Sequence, residues 1–75
     1  MFVLSEIAKE NIRKNWASAP WLVLGYCLII LTEVKNPSSS ELESNAKRIT
    51  KMIKGKEVSS ADEFISVFEE KFLNV

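Results

Sequence analysis

Residues 19–34 read APWLVLGYCLIILTEV. From Trp21 to Leu31, ten of eleven residues are apolar or aromatic, and the exception is Gly25. Three structures can hold such a run: a buried strand, a membrane span or a core helix. The choice among them decides the fold. A strand is disfavoured because the run far exceeds the usual strand length of about 5–6 residues. No other stretch alternates at period two to pair with it, and an unpaired strand leaves its backbone groups unsatisfied.

A span is the stronger rival. The uncharged window from Asn15 to Thr32 is eighteen residues long, with Trp16 and Trp21 at one end. A span needs about 20 predominantly apolar residues, and Ser18, Ala19 and Pro20 dilute this window. A core helix fits the punctuation better. Pro20 falls at the first helical turn, where its missing N–H costs nothing, with Ser18 or Ala19 as N-cap. Asn36-Pro37 ends the helix, because the residue before proline is pushed away from helical angles.

This helix is apolar on every side, and such a helix belongs in the middle of something. The rest of the chain is short. Seventy-five residues form one domain, residues 1–75, and bury only about 60% of the surface the unfolded chain exposes. Chains of this size usually need a disulfide, a metal or a partner. Cys27 is the only cysteine and there is no histidine, so no intrachain disulfide, metal or cofactor is expected. That leaves an efficient helical core, association with a partner chain, or both.

Three amphipathic segments surround the apolar one. The first runs from Ser5 to Trp16, with Leu4, Ala8, Ile12 and Trp16 at four-residue steps and Ile7 widening the stripe. Its acids come early and its bases late, as the helix dipole favours. The third opens on Ser40 and Glu43, which have capping-box spacing, and carries Leu42, Ala46, Ile49 and Ile53 to a stop at Gly55. The fourth opens on Ser60 and Glu63 and carries Ala61, Ile65, Phe68 and Phe72, broadened by Phe64 and Val67. The expected fold is all-α: a small bundle of four short helices, the apolar second one central, the third and fourth forming a helical hairpin.

Candidate chemistry is sparse. Without histidine the usual general base and the Ser/His and Cys/His pairs are missing. Cys27 lies in the most apolar part of the chain, which raises a thiol pKa rather than lowering it. Glu69 and Glu70 beside Lys71 read as a solvated face. No phosphate-cradling glycine loop is present, since the chain has two glycines. The expected protein is not an enzyme.

Charge adds little. Ten basic residues balance ten acidic ones, giving no global attraction to nucleic acid or an anionic membrane. The segment 47–56, KRITKMIKGK, is locally basic. Arg48, Lys51, Lys54 and Lys56 form a candidate electrostatic contact surface, and a nucleic-acid-binding role through them is the first alternative function. Basic residues also gather at helix C-termini for electrostatic reasons alone, and Asp62 and Glu63 at the start of the next segment would repel phosphate. A membrane-associated role through 19–32 is the second alternative.

The leading expectation is a cytoplasmic, non-enzymatic interaction module. It self-associates, with a homodimer as the simplest form, or acts as an inhibitor, immunity or antitoxin-type factor on a larger protein. The expected interface is one stripe of the second helix: Trp21, Leu22, Gly25, Tyr26 and Ile29.

Overall fold

The computed structural model describes residues 2–55 and 57–74. The architecture is all-α: α1 (Glu6–Asn15), α2 (Pro20–Lys35), α3 (Ser39–Lys54) and α4 (Ala61–Phe68), the last running into a π-helical segment, Glu69–Leu73. Helix α2 is central. It packs against α3, α1 and the π-helical segment, while α1 also packs against α4. Helices α3 and α4 follow one another as a hairpin, with a groove lined by Arg48, Met52, Val58 and Val67 beside them.

Each helix starts where local chemistry supports it. Ser5 caps α1 by accepting from the Ala8 N–H at 3.1 Å. Helix α2 has Ala19 as N-cap with no side-chain hydrogen bond, and Pro20 in its first turn. It ends at Asn36, whose φ of 46° is left-handed, a conformation asparagine tolerates better than most residues.

The start of α3 differs from the sequence expectation. The capping box is Ser38 with Glu41, two residues earlier than Ser40 with Glu43: the Glu41 N–H donates to Ser38 Oγ and the Ser38 N–H to Glu41 Oε1, both at 3.2 Å. Both pairs have the required spacing. The earlier one starts the helix directly after Pro37 and gains the Leu42-to-Ser38 backbone bond at 2.9 Å. It also releases Glu43 to pair with Lys47 at 3.6 Å. At α4, Ser60 accepts from the Glu63 N–H as expected, but the Glu63 carboxylate turns to the N–H and hydroxyl of Ser59.

The core joins all four helices. Ile12, Val23, Cys27, Leu31, Ile49, Phe64, Phe68 and Leu73 are essentially sealed from solvent. Trp16, Phe64, Phe68 and Phe72 form a ladder with ring centroids 5.1, 5.9 and 5.7 Å apart. Such pairs add about 0.5–1.5 kcal/mol each beyond the area they bury. In the π-helical segment Phe72 and Leu73 are both buried. One residue departs from the amphipathic reading: Ile7 is 75% exposed. It lies one position off the Leu4–Ala8–Ile12 line, and that offset turns it out of the core.

Candidate interaction surface

The two sides of α2 are both apolar but differ in cover. At about 100° per residue, Val23, Cys27, Ile30 and Leu31 share one arc, and these are the buried ones. Trp21, Gly25, Ile29 and Leu22 share the opposite arc. There Trp21 is 67% exposed, Leu22 52% and Ile29 57%, while Gly25 is exposed and Tyr26 half-buried. All five residues singled out from the sequence line one open groove of about 360 Å³.

The groove has a second wall that the sequence reading missed. Asn11, Ile12 and Asn15 of α1 line it together with the α2 residues, including Val23. The Asn15 side-chain amide donates to the Asn11 carbonyl at 2.9 Å, so the two amides share one helix line. Ile7 stands one turn earlier on that line. The signal available in sequence was the i, i+4, i+8 set Ile7, Asn11, Asn15, an uncharged line on a helix whose other residues outside the core are charged. No charged residue lines the groove.

Gly25 is not explained by its own chain. A Cβ built there meets nothing within 4 Å, so no packing under Trp16 or elsewhere demands glycine. A glycine in a helix interior is destabilising by about 0.5–1 kcal/mol relative to alanine. Gly55 is the opposite case. A Cβ there would lie 2.4 Å from the Lys51 carbonyl oxygen, which its N–H approaches at 2.7 Å to close α3.

The basic set is more dispersed. Arg48 lies over the Phe72 ring, 4.6 Å from the centroid. Arg48 and Lys51 share the α3–α4 groove with Glu57, Glu63 and Lys71, so its charge is mixed. Lys54 lines two other clefts, on the α2–α3 and outer α3 sides. Lys56 lies outside the described residues. Glu69 departs from the solvated reading: its carboxylate accepts from the Leu4 N–H at 2.7 Å and ties the N-terminal segment to the π-helical end.

Cys27 is fully covered, and burial pushes its thiol up to about 12. Among the described residues, no cluster of three histidine, cysteine, aspartate or glutamate side chains could hold a metal ion. No helix among them is long and apolar enough to cross a membrane. Comparison with protein-family models, with curated proteins and with solved structures finds no match for the chain.

Proposed function

We propose that this protein is a non-enzymatic, protein-binding module that works through the open face of α2. The observation that carries the reading is the groove around Gly25. An uncharged, mostly apolar cleft is flanked by exposed Trp21, Leu22 and Ile29 on a molecule of 4872 Å² total surface. Exposed apolar patches of several hundred Å² mark interaction sites in small soluble domains, and tryptophan and tyrosine are the residues that most often anchor them.

A role in chemistry has less support. The one thiol is sealed and held protonated far above neutral pH, and the chain has no histidine. Glu57 and Glu63 beside Arg48 and Lys51 weigh against the nucleic-acid alternative, because they would repel phosphate where the bases would attract it. A single buried thiol suits a reducing compartment such as the cytoplasm.

The test is affinity capture from the native host with the natural chain and with the Leu22→Lys variant. A protein retained by the first and lost by the second supports the reading. Identical captures from both overturn it.

A further inference from the structure

We infer that the occupant of the α2 face is a second copy of this chain, docked antiparallel across a two-fold axis at Gly25. The inference rests on the protein-binding reading of that face and names the partner. Three features of the face carry it.

The first is area. Taking about 200 Å² for a large apolar side chain laid fully open, the exposed fractions of Ile7, Trp21, Leu22 and Ile29 amount to about 500 Å². An ordinary stable interface takes about 800 Å² from each partner, and in homodimers about 65% of that is apolar, again about 500 Å². The face therefore supplies the apolar share of one standard interface. No second patch is needed to complete it.

The second is charge. The groove is lined by apolar side chains and two asparagine amides, with no acid or base. A partner carrying charge at this point would bury it unpaired, at high cost. A copy of the same face brings none.

The third is self-complementary spacing. In an isologous pair each residue meets the counterpart placed symmetrically about the axis. With Gly25 on the axis of two antiparallel helices, Trp21 of one copy lies opposite Ile29 of the other. Both stand about 6 Å along the helix from the crossing. The bare glycine lets the helices approach, and the large side chains close over the crossing from either end. The pairing gives Gly25 a use that its own chain does not.

Sedimentation equilibrium from about 1 µM to about 1 mM should give a mass approaching twice 8.5 kDa. The Ile29→Lys variant should return to the monomer mass with unchanged helical circular dichroism. The Trp21→Cys and Ile29→Cys variants, mixed and oxidised, should link to each other, because residue 21 of one copy lies opposite residue 29 of the other. A Ser44→Cys control, at an exposed position of α3, should not. Native Cys27 is buried and does not compete. A natural chain that stays monomeric across the range overturns the second-copy inference. So does a mixture of Trp21→Cys and Ile29→Cys chains that links no faster than the control. Neither result touches the wider protein-binding reading, which falls only if Leu22→Lys leaves the captured proteins unchanged.

Discussion

The two sides of α2 have nearly the same chemistry and opposite fates. One carries valine, cysteine, isoleucine and leucine into the core. The other carries tryptophan, leucine, glycine and isoleucine into an open groove. Hydrophobicity does not separate them. Geometry does: α1, α3 and the π-helical end close over one arc of the helix, and no element among the described residues closes over the other.

The sharpest way to break this comparison is truncation on each side. Leu31→Ala removes buried methyl groups and should cost about 2–5 kcal/mol in urea unfolding. Ile29→Ala, measured in dilute protein, should stay within about 0.5 kcal/mol. Equal losses would mean that the open face is core. A second contrast concerns what starts each helix. Helix α2 has no side-chain cap and relies on its buried arc, so Ser18→Ala should be silent within about 0.5 kcal/mol. Ser38→Ala, which removes the capping oxygen of α3, should cost about 1 kcal/mol.

Gly25 offers a smaller and more pointed contrast. Gly25→Ala adds a methyl group into open space and should raise the stability of the dilute monomer by about 0.5–1 kcal/mol. In concentrated protein it should lower the dimer fraction, because the methyl group sits on the axis. Opposite signs in thermal melting and sedimentation would sharpen the division between the two faces. Gains in both would remove glycine from the contact.

The gentlest probe is pH. Hydrogen bonds from the Ser38 side chain and backbone hold Glu41 below its ordinary value of 4.5, and Ser59 does the same for Glu63. The stabilisation is fully present above the unfolded value. It is lost as pH falls below 4.5 and through the lower folded values. Acid should therefore loosen the starts of α3 and α4 before either arc of α2. Glu41→Gln with Glu63→Gln should flatten the acid limb of a melting-temperature profile.

Much of this molecule was legible in its sequence. The four helices, the proline start and Asn-Pro end of α2, the Gly55 stop and the Phe64–Phe68–Phe72 face all follow from local signals. The sequence also showed that α2 is apolar on every side, more than three short amphipathic segments can cover. Which arc stays open is settled by tertiary packing, and helix spacing alone does not encode that. Three other features lay beyond local reading. The Ser38 and Ser40 boxes share one spacing, so only the packed helix selects between them. The π-helical geometry of 69–73 leaves no mark in a period of 3.6. The Glu69 contact with Leu4 spans sixty-five positions.

That last contact belongs to a seam joining the two ends of the described chain. Asn74 accepts from the Phe2 N–H and donates to the Phe2 carbonyl at 2.7 Å, and also donates to the Glu69 carbonyl at 2.7 Å. One asparagine and one glutamate thus fasten the fold into a closed circuit. Such a seam closes a loop over nearly all the described residues, and its bonds are exposed or only part-buried. Amide exchange at Phe2 and Leu4 should then report the opening of the π-helical end as faithfully as probes on that end itself. The polypeptide would release and re-form its first and last turns as one unit.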